Sequence, residues 1–504
     1  MKIFFKHIRF IIFLITFSPL ILFAQKTTKV QLLNSNKLIG VKTDGKELNR
    51  LIGDVILKHD STIFYCDSAY LYKGTNNFEA FSNVHIIVND SVEIFGDILN
   101  YNGNSRIAEL FYNVKLIDNK ATLTTEHLFY NRNTKIAFYN TGGIIVDKEN
   151  QLTSVIGYYY TSQKEFFFKD SVVLINPDYI MNSDTLMYNT ETETSYFYGP
   201  TTIIGDEDSI YCEDGWYDTQ FNITRLKKNV FIQHNEQIIT GDTIYYDKTK
   251  GYGLAINNVV LIDTLQDVVV KGNLAEYQKN KGFAFVTDSA LAITIDNNDS
   301  LFLHADTLKI VFDTAHKAKI LFAYNKAKFY REDIQGLCDS LVYNFKDSTI
   351  TLYNEPVLWS DSNQLTADSI KIVIANNEID TMVLFNSSFI ISRDDTATFN
   401  QIKGKNMVAY FTDNELKKIT VDGNSQTIYF VREETGELIG INKAVSSKML
   451  IFLEDKQMKT ITYIDFPKET LFPEKDLSPK DIILKGFKWL EEKRPRNKME
   501  IFYW

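Results

Sequence analysis

The sequence predicts an all-β protein: an elongated antiparallel sheet folded over on itself and built from about thirteen hairpin repeats. Three observations carry this. Tyrosines fall at 72, 101, 130, 159, 188, 217 and 246, six successive steps of 29 residues. Stretches such as "GDILNYNGNSRIAELFYNVKLID" (96–118), "SDTLMYNTETETSYFYGPTTIIG" (183–205) and "GDTIYYDKTKGYGLAINNVVLID" (241–263) each read as strand, short turn, strand. The chain holds 36 Phe and 28 Tyr against 8 Pro, which suits strands, and nothing between residues 50 and 465 reads as a helix. A fixed period marks a stacked array, which lengthens without a new core for each segment.

Within one repeat the elements follow in order. The tyrosine anchors the first strand, and the frame continues, more loosely, through Tyr277, Ile310, Tyr343, Ile372, Tyr410 and Phe452. Two residues earlier stands an apolar residue, as at Leu99, Leu128, Leu186 and Ile244, so both point to one face of a strand. Four residues earlier an acid recurs, as at Asp97, Glu126, Asp184, Glu213, Asp242, Asp306, Asp339 and Asp368. These read as solvated strand-entry carboxylates. Equivalent strands two spacings apart lie roughly 9.6 Å from one another, too far to share a calcium ion.

After the anchor come turn residues such as "NGNS" and "DKTKG". Midway through the second strand an Asn, Gly or Asp recurs, at 83, 113, 142, 170, 199, 229, 258, 288 and 354. Such residues tolerate positive φ, so a corner is expected there. Beyond it Val114/Leu116, Val230/Ile232 and Val259/Leu261 alternate with outward residues. A bent sheet of this pattern closes its apolar face inward at a spacing of about 10 Å. It makes a trough with a greasy lining and a polar exterior.

The ends differ from the repeats. Lys2, Lys6 and Arg9 precede the apolar run "FIIFLITFSPLILFA", so residues 1–24 read as a signal peptide, with an uncleaved anchor as the alternative. No cysteine stands near the cut to carry a lipid. Residues 25–49 form a lead-in, 50–465 the repeats and 466–504 a tail. Losing the three leader cations takes the net charge from −10 to −13, which gives no general attraction for nucleic acid. The tail segment "PKDIILKGFKWLEEK" carries helix signals, and Lys480, Lys485, Lys488, Lys493, Arg494, Arg496 and Lys498 concentrate positive charge. It reads as a short helix that either caps the last strand edge or docks a partner.

Catalytic and metal motifs are missing. HExxH, CxxC, GxSxG and P-loop patterns do not occur, and His304 and His316 suggest no shared metal. No catalytic residue, cofactor or metal site is expected. The three cysteines, Cys66, Cys212 and Cys338, occupy nearly the same place in distant repeats. They therefore read as small core residues rather than disulfide partners.

The recurring "GDxLxYN … NVxLID" units, clearest at 96–118, 183–205 and 241–263, resemble those of the OstA-like, LptA-type lipopolysaccharide-transport proteins. The likeness extends weakly over residues 50–465. It implies a β-jellyroll open along one side that holds the acyl chains of lipopolysaccharide or a related lipid in the periplasm. It also implies partners among inner- and outer-membrane transport components with jellyroll domains, and end-to-end self-association. On this reading the lipid-binding groove is lined by Leu99, Tyr101, Val114, Leu116, Leu128, Tyr130, Leu186, Tyr188, Val230, Ile232, Ile244, Tyr246, Val259 and Leu261.

Two other readings are weighed against it. A secreted or surface β-solenoid adhesin would have a dry interior and Thr/Ser/Asn-rich outer faces. An outer-membrane barrel would need nearly charge-free lipid-facing bands, whereas Lys and Asp punctuate most strands here.

Overall fold

The computed structural model describes residues 28–504 except 44, 89–91, 119–120, 148–149, 296–299, 316, 377, 414, 434 and 455–456. The expected signal peptide (1–24) and His316 lie outside the described residues. The chain divides into two compact units, Met1–Asp170 and Ser171–Trp504.

In the first unit, strands Lys46–His59, Thr62–Tyr72, Asn77–Val88, Val92–Asn102 and Ile107–Asp118 each pair antiparallel with their sequence neighbours. Every one of these pairings shifts register midway, for example between Phe81 and Val84 and between Phe111 and Val114. Two successive left-handed residues make the bend, Ser82/Asn83 and Tyr112/Asn113. The strand therefore turns a corner, and its halves lie on two facing walls. The tyrosine anchors sit on the first wall, and the residues beyond the corner sit on the second. Each 29-residue repeat contributes two such strands, so each wall gains two strands per repeat.

All nine corner residues expected from the sequence have positive φ, from Asn113 at 50° to Gly199 at 87°. Where the corner residue is an asparagine, the recurring acid of the preceding strand has its partner there. Asn83 donates to Asp67 at 2.8 Å, Asn113 to Asp97 at 2.7 Å, Asn229 to Glu213 at 2.7 Å and Asn258 to Asp242 at 3.0 Å. Each pair is 16 residues apart, and the amide ties the bend to the strand before it.

In the second unit the same long bent strands run from Tyr179–Asn189 through Val268–Gln278. Beyond them the halves part. The first wall continues through Phe283–Thr287, Thr307–Phe312, Ala318–Tyr324 and Ser340–Asn344. The second continues through Leu291–Thr294, Leu301–His304, Ala327–Tyr330, Ile334–Cys338 and Val357–Ser360. The walls rejoin in two strands long enough to cross both, Glu415–Arg432 and Leu438–Glu454.

The pairing corrects the repeat frame at three anchors. Phe78 pairs with both Leu71 and Tyr101, so Leu71 is the inward anchor of its strand, and Tyr72 faces out, bonded to Glu79 at 2.7 Å. Met382 pairs with Ala409, and Ala409 with Ile419, which faces Ile451. Tyr410 and Phe452 are accordingly outward, 40% and 44% exposed. A one-residue slip changes the face of a strand residue, and the aromatic side chains had marked the wrong neighbour.

The tail is not an α-helix. It contains three 3-10 turns, Glu474–Asp476, Glu491–Lys493 and Glu500–Phe502, and otherwise runs mostly as turns, bends and irregular segments over the outer face of the second wall. Its backbone is satisfied from outside. The Gln401 amide donates to Ile482 O (2.8 Å) and accepts from Leu484 N (2.9 Å), while Gln364 does the same for Lys488 O and Leu490 N, both at 2.7 Å. Arg494 reaches Gln335 at 2.7 Å, and Lys328 reaches Tyr503 O at 2.8 Å. Gln335, Gln364 and Gln401 are all buried. Leu477, Ile482 and Leu484 pack on Ile428, Phe430 and Ile441, and Leu490 packs on Leu337, Val357 and Trp359. Helix propensity loses because these wall groups already bond the carbonyls and N–H groups a helix would use.

The cysteines are free and buried, and burial pushes the Cys66 and Cys338 thiols up to about 12 and that of Cys212 up to about 11. They are core residues at equivalent corners, as expected.

Candidate functional site: an apolar groove in the second unit

Two rows of inward side chains face each other in the long-strand part of the second unit. On the first wall Tyr188, Tyr217, Tyr246 and Tyr277 alternate with Ser195, Thr224 and Gly253 across successive strands. On the second wall Ile203, Ile210, Ile232, Ile239, Leu261 and Val270 stand side by side in the same way. Alternating a ring with a small residue leaves a notch between rings, whereas the branched residues make a continuous ridge. At the corner the floor is closed by buried Leu186, Phe197, Leu226, Ile244 and Ala255. The tyrosines and the isoleucine row are all only half-buried. Their apolar surface is within reach of a ligand.

The corresponding rows of the first unit are shut. Leu99, Leu110 and Leu128 of its floor are fully buried, as are Tyr101 and Tyr130 on one wall and Ile94 and Leu116 on the other. Rings from the two walls touch, with Phe64 and Tyr101 centroids 4.8 Å apart. Tyr139 bonds Ser154 at 2.6 Å, and its ring fills the space a side chain at Gly157 would need, 2.3 Å from that position.

Polar groups bolt the first unit's mouth. The Tyr101 hydroxyl meets His59 Nδ1 at 2.7 Å and accepts from Arg132 at 2.8 Å. Asp60, on the turn after His59, pairs with Arg106 at 3.0 Å and with Arg132 at 3.8 Å. Tyr159 donates to Asp118, which also pairs with Lys164 at 3.6 Å. Lead-in residue Thr28 bonds His59 at 3.0 Å and also Asp60. Burial is the main cause that lowers the His59 pKa and raises that of Tyr101. Burial works against the Asp60 carboxylate, but the Thr28 hydroxyl, His59 and the two guanidinium groups hold its pKa below the usual range.

In the second unit's long-strand part these bolts are replaced. Tyr217 turns its hydroxyl to Asn222 of its own turn at 3.2 Å. Among the described residues neither Tyr246 nor Tyr277 hydrogen-bonds across the mouth. The turns ending the second wall carry Asp178, Asp206, Glu207, Asp208, Glu236, Asp263 and Asp267 and no lysine or arginine. The first wall ends in two bonded turns that bring Lys248, Lys250, Lys279 and Lys281 together, with Lys279 N on Gly251 O and Asn280 on Lys250 O, both at 2.8 Å.

The structure thus divides the residues expected to line a groove. Leu99, Tyr101, Val114, Leu116, Leu128 and Tyr130 lie in the closed interior of the first unit. Leu186, Val230, Ile244 and Val259 form the buried floor at the corner of the second unit. Tyr188, Ile232, Tyr246 and Leu261 face the half-buried interior. Ile203, Ile210, Ile239 and Val270 join them and were missed. His304 Nδ1 donates to Ala290 O at 2.7 Å, and its ring lies against Phe502 of the tail.

Comparison with known proteins sharpens the picture. Residues 27–184 match the family described as OstA-like protein, and residues 269–378 match the family described as LptA/(LptD N-terminal domain) LPS transport protein. No curated protein matches. A solved structure, LptH, the LptA homologous periplasmic component of the lipopolysaccharide transport device from Pseudomonas aeruginosa, aligns at 11% identity and a TM-score of 0.20. The alignment covers 21% of this chain and 81% of that one. Two stretches of the chain, one on each side of residue 200, are thus similar to the OstA-like and LptA-type lipopolysaccharide-transport proteins that the repeats resemble.

Proposed function

We propose that the chain is a periplasmic carrier or bridge segment that shields the acyl chains of lipopolysaccharide, or a related lipid, in the groove between residues 179 and 294. The observation that carries this is the exposure of one stretch of matched apolar rows while equivalent rows elsewhere are buried. Each methylene removed from water contributes about 0.8 kcal/mol, so a few acyl chains bind firmly without a charged pocket. Successive rungs repeat the same lining, which lets a chain slide from one to the next. The lysines at 248, 250, 279 and 281 are the cations closest to an anionic head group. Partner jellyroll components and end-to-end association fit the exposed strand edges of such a sheet.

Photo-crosslinking from Ile203, Ile232 and Tyr246, compared with Tyr101 and Tyr130, tests it. Lipid adducts are expected from the first three positions alone. Adducts at 101 and 130 would move the groove. Their absence everywhere, in protein taken from cells with an intact outer membrane, would end the carrier reading.

A further inference from the structure

The strap formed by residues 477–504 has a second face. The wall beneath it fixes which residues point inward, because Gln364 and Gln401 grip its main chain and Gln335 accepts from the Arg494 side chain. Lys403 and Lys443 add bonds to the Lys485 and Asp481 carbonyls at 2.6 and 2.5 Å. Ile482, Leu484, Phe487 and Leu490 are thereby turned in, and the residues between them are turned out.

What is turned out is unusual for this chain. Lys480, Lys485, Lys488, Lys493 and Arg496 are exposed, and none has an ion-pair partner among the described residues. Beside them stand Ile483 (50% exposed), Met499 (61%), Tyr503 (73%) and Trp504 (58%). Of the four acids in the segment, Asp481 is held by Ser478, Glu491 lies against Arg494, Glu500 is held by the backbone of Arg496 and by Asn497, and Glu492 is exposed next to Lys493 in the sequence. A chain with a net charge of −10 therefore displays a cationic strip tipped with aromatic and apolar side chains.

We infer that this strip docks the protein on an anionic bilayer surface. Tyrosine and tryptophan favour the water–hydrocarbon boundary, and each lysine or arginine near an anionic surface adds about 1 kcal/mol of attraction. An acidic protein would engage the cations but would leave the apolar tips without a partner. The strip lies on the outside of a wall whose inner side faces the interior, so docking does not use the groove.

The test is co-sedimentation of the full chain with sucrose-loaded vesicles of phosphatidylcholine alone or with phosphatidylglycerol. Binding is expected only with the anionic lipid, and it should weaken as salt rises. The K485E/K488E/K493E variant should lower partition by about tenfold or more, and Y503A/W504A by less. Neither set should alter the thermal unfolding profile, because these side chains touch little of the wall. The groove variant I232D should bind vesicles as the parent does. Equal binding to neutral vesicles, an unchanged charge-reversal variant, or loss of vesicle binding in I232D would each overturn the inference. So would capture of an acidic protein without any binding to vesicles.

Discussion

The first unit and the long-strand part of the second are built from the same rung, yet the inward rows of one are buried and those of the other are only half-buried. Their floors are alike, with Leu99 and Leu128 in one and Leu186 and Ile244 in the other all buried. The difference lies at the rim. In the first unit a tyrosine hydroxyl on one wall meets His59 on the other, and arginines on the turns of one wall meet Asp60 across the mouth. In the second unit Tyr217 bonds its own turn, and the turns of one wall are acidic without a basic residue among them. The corner and floor set the fold, and turn chemistry sets whether the trough is shut.

Substitutions that break this contrast should rank by how deeply each site is buried. Leu99→Asp places an unpaired carboxylate in a dry floor and is expected to cost roughly 3–5 kcal/mol or to prevent folding of the first unit. Ile232→Asp, at a half-buried position, should fold with a loss of only about 1–2 kcal/mol and abolish lipid capture. Urea unfolding of both variants, with lipid content measured alongside, separates the two outcomes. Equal destabilisation would mean that the two interiors are equally dry.

Next in size, Tyr101→Phe leaves the His59 ring and the Arg132 guanidinium without their shared partner. It should destabilise the first unit by about 1–3 kcal/mol and admit a hydrophobic dye that the parent excludes. Gln364→Ala strips two main-chain partners from the strap and should cost a similar amount, about 1–3 kcal/mol, read as faster proteolysis between 477 and 504. The Tyr101 and Gln364 effects should add, because the sites share no partner.

The smallest effect concerns pH. Burial lowers the His59 pKa below its ordinary value of 6.5, so the folded first unit prefers the neutral ring. The unfolded chain binds that proton more readily, so stability is full above about pH 6.5 and falls as the pH drops below it. The protection of strand Lys46–His59 against hydrogen exchange, relative to the unfolded chain at the same pH, should therefore fall as the pH drops below about 6.5, and His59→Gln should remove the dependence. An unchanged pH profile in that variant would show that another group is responsible.

Much of this was legible from residues alone. The corners were, because Asn, Asp and Gly recur where two left-handed residues are needed, and all nine expected positions adopt positive φ. The acid ladder was visible and most of its carboxylates are exposed, but the amide that some of them accept from went unseen. Its 16-residue spacing to the corner asparagines held the answer, since Asp97 and Asn113 are one such pair. The frame at Tyr72, Tyr410 and Phe452 was not legible, because an aromatic on either face of a strand looks the same in one dimension. The strap was not either. Its helix signals are genuine local preferences, overridden by buried glutamines more than 80 residues away in the chain. Nor could the open and closed stretches be told apart, because the bolts are contacts between turns, such as Arg106 with Asp60, that no period announces.

Where an asparagine makes the corner, at 83, 113, 229 and 258, its tie to a carboxylate reaches back only 16 residues, so such a bend is braced by the strand just before it. An unequal crossover in the gene that adds or removes one whole 29-residue unit would leave each remaining brace intact and every inward residue inward. Length in such a chain can therefore evolve in quantised jumps of one whole unit.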